Sequence, residues 1–111
     1  MKYYVVRYLH TDMIGWKKHV NAHIDYLEQL VKQEKLIVSG PIKDSKDGEK
    51  DALLIFKVKD LNELQQLIEQ DPYWFEGLVA DHTIKEWDPM FGSLQTPKHK
   101  LMVRLSKWIN R

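Results

Sequence analysis

Cysteine is missing from this chain, which excludes disulfides, zinc thiolate sites and thiol nucleophiles together. No run of about eighteen apolar residues occurs, so no membrane-crossing helix is predicted. Met1 leads directly into Lys2-Tyr3-Tyr4-Val5-Val6 without a signal-type apolar region, and a cytoplasmic location is the expectation. There is no G-x-S-x-G elbow and no glycine-rich phosphate loop, so nucleophilic catalysis and nucleotide binding have no support and no cofactor is expected. Acidic charge is missing from one end: Lys98, Lys100, Arg104, Lys107 and Arg111 follow Pro97 with no Asp or Glu among them. The whole chain carries a net charge of only +1, so the part before this tail is net acidic. Such a body has little general attraction for nucleic acid, whose binding depends on neutralising phosphates.

What is present describes a folded domain. Of 111 residues, 43% are hydrophobic and 30% charged, the balance of a globular protein rather than a disordered one. A chain of this length buries roughly two thirds of its unfolded surface, a small core that invites help from a partner.

Residues 2–9, rich in aromatic and β-branched types, read as a first strand. From Trp16, the residues Trp16, Val20, Ile24, Leu27 and Val31 recur at helical spacing, which predicts an amphipathic helix to about Glu34. Leu36-Ile37-Val38-Ser39 reads as a second strand closed by Gly40-Pro41. The charged stretch from Lys43 to Asp51 reads as an exposed hairpin loop. Residues 52–58 are apolar on both faces through Phe56, as in a strand covered on two sides. Asp60 with Glu63 forms a capping-box pattern ahead of a helix through Leu61, Leu64, Leu67 and Ile68, which must stop by Asp71, before Pro72. Alternation from His82 to Trp87 predicts a last strand.

The order βαββαβ matches the ferredoxin-like plan of the α+β class, an antiparallel sheet with both helices on one face. Leu53 and Ile55 then point away from Leu54 and Phe56, so one apolar set lies opposite the helices. Left in water it would form an interface-type patch, and a homodimer packed sheet on sheet is predicted. Residues 1–92 form the domain in this reading. Residues 93–111 form a basic extension, linker-like from Phe91 to Pro97, then an amphipathic helix through Leu101, Met102, Leu105, Trp108 and Ile109. That helix is expected to dock on the dimer, with a membrane surface or anionic partner as the alternative.

At about 100° per residue, His23 falls roughly 40° from the centre of the first helix's apolar stripe. It should point inward, either as a hydrogen-bonded core residue or as a proton-transfer group in a pocket. His19 stands one turn earlier, but Val20-Asn21-Ala22 between them lacks the glutamate of an H-E-x-x-H site, and no metal site is predicted. His10 and His82 read as strand-end and solvent-facing residues. Asp71 before Pro72 is explained by helix capping alone.

His23-Ile24-Asp25-Tyr26-Leu27, Lys35 to Pro41 with its Ser39-Gly40-Pro41, Asp71-Pro72-Tyr73 and the closing Trp87 together resemble the YCII-related family over about residues 1 to 90. The resemblance implies a dimeric α+β barrel of ferredoxin-like protomers and a catalytic pair matching His23 and Asp71. A related branch holds chloromuconolactone dehalogenases, and the wider superfamily holds muconolactone isomerases and haem-degrading monooxygenases. The family's frequent arginine before the histidine is replaced by Val20, and a frequent glycine by Glu34. The reading that follows is an isomerase- or lyase-type enzyme moving a proton in a small lactone or carbonyl substrate. His23 would be the acid or base, since imidazoles titrate at about 6.5. Asp71 would orient it, Ser39 and the backbone near Gly40 would bind substrate oxygen, and Tyr73 would line the pocket. The alternative is a non-catalytic module that binds a small ligand in its dimer.

Overall fold

In β1 (Lys2–His10) exposure alternates strictly, with Tyr4, Val6, Tyr8 and His10 buried and Tyr3, Val5, Arg7 and Leu9 less so. One face of this strand therefore builds the core. The computed structural model describes residues 1–94 and 98–110. After β1 come α1 (Met13–Lys32), β2 (Leu36–Ile42), β3 (Lys50–Val58), α2 (Leu61–Glu69), a short α3 (Pro72–Phe75), β4 (Asp81–Trp87) and α4 (Lys98–Ile109). The four strands form one antiparallel sheet in the order β2-β3-β1-β4. This is the ferredoxin-like α+β arrangement, with α1, α2 and α3 on the face that carries Tyr4, Val6, Tyr8, Leu54, Phe56 and Val58.

Local chemistry sets the element ends. Asp12 caps α1 by accepting from the Gly15 amide at 3.0 Å, and the helix begins at Met13, one turn before the expected Trp16. Its other end closes where Glu34 adopts a left-handed φ of 60°. The amides of Glu34 and Lys35 then fold back to the carbonyls of Val31 and Leu30. This is a helix-ending turn that glycine favours. At α2, the Asp60 carboxylate accepts from the Glu63 amide at 2.9 Å. Glu63 in turn accepts from the Lys59 amide at 2.9 Å, one residue before the cap. That bond, with Lys35 nearby, holds the Glu63 carboxyl below the usual carboxylate range.

Three expectations need correction. Gly40-Pro41 does not end β2, which runs on to Ile42. β2 is an edge strand, where proline leaves no partner strand short of a donor. The loop is correspondingly shorter, with β3 starting at Lys50. The buried side of α1 also differs: Leu30 is buried and Tyr26 and Leu27 pack against the core, while Ile24 and Val31 are about half exposed.

Leu54 and Phe56 face the helices, whereas Leu53 is exposed and Ile55 only half buried on the opposite face. Residues 95–97, the end of the linker-like stretch, and Arg111 lie outside the described residues, as do the side chains of Lys98, His99, Lys100, Leu101 and Arg104. On α4, Met102, Trp108 and Ile109 are exposed. No helix among the described residues is long and apolar enough to cross a membrane.

Left-handed backbone costs a residue with a side chain roughly 1–2 kcal/mol, so Glu34→Gly should raise stability by about 0.5–1 kcal/mol in chemical denaturation. A loss would show that the Glu34 side chain stabilises the turn.

Candidate active site

Asp71 precedes Pro72 at the start of α3, and its extended backbone places the carboxylate over the first turn. Oδ1 accepts from the Tyr73 amide at 2.9 Å. The same Oδ1 lies 2.8 Å from His23 Nδ1, across 48 residues of sequence. The carboxylate accepts, so the imidazole proton sits on Nδ1 and Nε2 is the ring nitrogen outside this bond. Asp71 is 2% exposed and the His23 side chain 14%, so the aspartate stands behind a histidine that still meets the cavity.

Tyr73 completes the support. Its ring stacks on His23 with centroids 4.0 Å apart and planes 16° from parallel. Its hydroxyl donates to the Trp16 carbonyl at 3.0 Å, tying α3 to the first turn of α1. The imidazole is thereby held at an edge by Asp71 and across a face by Tyr73. Burial, reinforced by Asp71, raises the Tyr73 hydroxyl well above the usual phenol range, so it remains a donor.

His23 borders a cavity of about 890 Å³ between α1 and the sheet, within the size range of small-molecule sites. Val20, Ile24 and Leu27 form its α1 wall, which accounts for the partial exposure of Ile24: part of the apolar stripe faces the cavity rather than the core. Ser39 and Gly40 border it from β2, where both are exposed. A Cβ added at Gly40 would touch nothing, so its place does not depend on being glycine. Lys50 reaches across to Trp16, its Nζ 4.9 Å from the ring centroid, and so joins the two sides of the opening. His19 stands apart, with Nε2 3.8 Å from Glu76.

His10 is the residue that sequence reasoning passed over. It does end a strand, but it is 2% exposed and borders the same cavity. Its Nδ1 donates to the Leu78 carbonyl at 2.8 Å, so in the neutral ring Nε2 carries the lone pair. Its ring lies 4.9 Å from that of Tyr73. Burial lowers its pKa, with His23 acting in the same direction and the Leu78 bond opposing. The alternation of Tyr4, Val6, Tyr8 and His10 on one face of β1 was the available signal.

The family model of the YCII-related domain matches residues 1–88. No curated protein matches the sequence. Among solved structures, the chain is similar to the 5-chloro-2-hydroxyhydroquinone dehydrochlorinase TftG of Burkholderia phenoliruptrix in complex with 2,5-dihydroxybenzoquinone. The two are 22% identical with a TM-score of 0.65, over 78% of this chain and 93% of that one. A NIPSNAP domain protein of Burkholderia xenovorans is 12% identical with a TM-score of 0.51, over 88% of this chain and 100% of that one. The C-terminal domain of MgtC from Mycobacterium tuberculosis is 15% identical with a TM-score of 0.51, over 78% and 88%. At these identities the likeness establishes a shared fold.

The lowered pKa of His10 makes stability pH-dependent. The unfolded chain, titrating at about 6.5, binds this proton more readily than the folded one, so stability present above that value is lost as pH falls through the folded pKa. In His10→Asn, where the amide nitrogen can keep the Leu78 bond, the drop in Tm from about pH 7.5 to about pH 5.5 should shrink relative to the parent. An equal drop in both proteins would exclude His10 as a source.

Proposed function

The chain belongs to the YCII-related family, and on that premise we propose that it is an enzyme that moves a proton within a small carbonyl compound, with His23 as the acid–base group. The carrying observation is the His23 Nδ1 to Asp71 Oδ1 contact of 2.8 Å beside the cavity. In the proposed step Nε2 removes a proton from the carbon next to a carbonyl, and the C–H electron pair moves toward the carbonyl oxygen. Returning the proton at another carbon gives isomerisation; expelling a leaving group from the neighbouring carbon gives elimination. Asp71 orients the ring and stabilises its charged form. The neighbour TftG is a dehydrochlorinase, and loss of HCl is an elimination of this type. A non-catalytic binding module would need no carboxylate behind a cavity-facing histidine, which favours the catalytic reading.

The protomer is proposed to work as a homodimer. Tyr3, Val5 and Leu9 of β1 share the sheet face away from the helices with Leu53 and Ile55 of β3 and Trp87 of β4. Leu53 is 37% and Trp87 43% exposed, leaving an apolar surface that a second copy would cover.

Two measurements test these statements. Solvent deuterium incorporation, followed by NMR across a panel of small lactones and ketones, should reveal exchange beside a carbonyl. His23→Asn should slow it by roughly 10²-fold or more. Asp71→Asn, which retains a good helix cap but loses the charge, should slow it at least tenfold. Exchange at the parental rate in His23→Asn would remove His23 from the mechanism. For assembly, light scattering after size exclusion should give twice the mass of one chain, and Leu53→Lys should give one chain's mass. A parent that is monomeric at micromolar concentration would contradict the dimer.

A further inference from the structure

Three tyrosine hydroxyls are raised in pKa by burial and by the charge of Asp71, and therefore stay protonated: Tyr26, pushed up to about 12, and Tyr73 and Tyr8 beyond it. Two have clear employment as donors. Tyr26 donates to the Leu67 carbonyl at 2.7 Å, and Tyr73 to that of Trp16 at 3.0 Å. Tyr8 has no acceptor among the described residues: it is 1% exposed and its buried hydroxyl meets no hydrogen-bond partner there. Buried hydroxyls are ordinarily paired, since an unpaired one has given up its water without gaining a partner.

Two residues on, at the same face of β1, stands His10, whose Nδ1 is committed to Leu78. Among the described residues its Nε2 meets no donor. Both residues border the cavity that His23 borders. An unmatched donor and an unmatched acceptor thus stand side by side, their Cα atoms roughly 7 Å apart as i and i+2 of a strand.

We propose that this pair is a ligand subsite for a compound bearing both a carbonyl and a hydroxyl: the Tyr8 hydroxyl donates to the carbonyl oxygen, and His10 Nε2 accepts from the hydroxyl. The proposal rests on the cavity being the substrate site and adds a substrate class to it. It also supplies what the proton transfer lacks. Negative charge that collects on the carbonyl oxygen when His23 takes a proton meets a fixed donor at Tyr8. A neutral His10 does not compete for that charge.

The test uses two small planar probes: maltol, which carries a carbonyl with a neighbouring hydroxyl, and its methylpyrone analogue without the hydroxyl. Calorimetric titration of the full chain should show maltol binding at least tenfold more tightly. Tyr8→Phe should weaken both probes about tenfold, one hydrogen bond's worth. His10→Asn should remove only maltol's advantage, because the Leu78 contact is kept while Nε2 is lost. Tyr8→Phe should also keep or raise Tm, since the deleted hydroxyl is unpaired. Equal binding of the two probes, no binding of maltol, parental affinities in the variants, or a lowered Tm in Tyr8→Phe would each overturn the assignment. His23→Asn should keep the probe preference. If it does so while deuterium exchange also survives, the proton-transfer role fails and the subsite stands.

Discussion

One oxygen atom holds the candidate site together. Asp71 Oδ1 caps α3 through the Tyr73 amide and fixes the His23 ring through Nδ1, at 2.9 and 2.8 Å. These bonds join elements well separated in the chain, α1 near its start and α3 after the third strand. Because the carboxylate is 2% exposed, water competes little for it, and its bonds count for more than surface ones. The cap pre-sets where the oxygen points, the oxygen sets the imidazole, and Tyr73 closes the arrangement by stacking on that imidazole and bonding to Trp16.

The cavity follows from a mismatch between α1 and the sheet. The helix carries more apolar surface than the core covers, with Leu30 buried while Val20, Ile24 and Leu27 border the cavity. At the floor, the inward face of β1 contributes Tyr8 and His10 where hydrophobic residues would suffice for packing. Polar groups placed at that depth without full pairing lower stability, and such sites are where function departs from the best-packed structure.

Much of this was legible in the residues. Capping chemistry located α2 and the start of α3, and the two-faced apolar run of β3 gave one face to the core and the other to the outside. The site was read differently. Helical phase predicted only that His23 faces inward, and Asp71 was fully explained as a cap; the family resemblance alone put them together. Capping and orienting are compatible, because one carboxylate oxygen has two lone pairs and serves both. Gly40-Pro41 misled because its effect depends on strand position in the sheet, which is a tertiary property. His10 was missed because a strand end was equated with exposure; the Leu78 carbonyl that receives its Nδ1 is 68 residues away.

The central claim is that Asp71 fixes the proton on His23 Nδ1 and leaves Nε2 toward the cavity. The direct measurement is the imidazole nitrogen NMR spectrum of His23 under conditions where the ring is neutral, compared between the parent and Asp71→Ser. Serine preserves a helix cap but is too short to reach the ring. A single tautomer protonated at Nδ1 is expected in the parent and a mixture of tautomers in the variant. A parent ring protonated mainly at Nε2, or a spectrum that Asp71→Ser leaves unchanged, would contradict it.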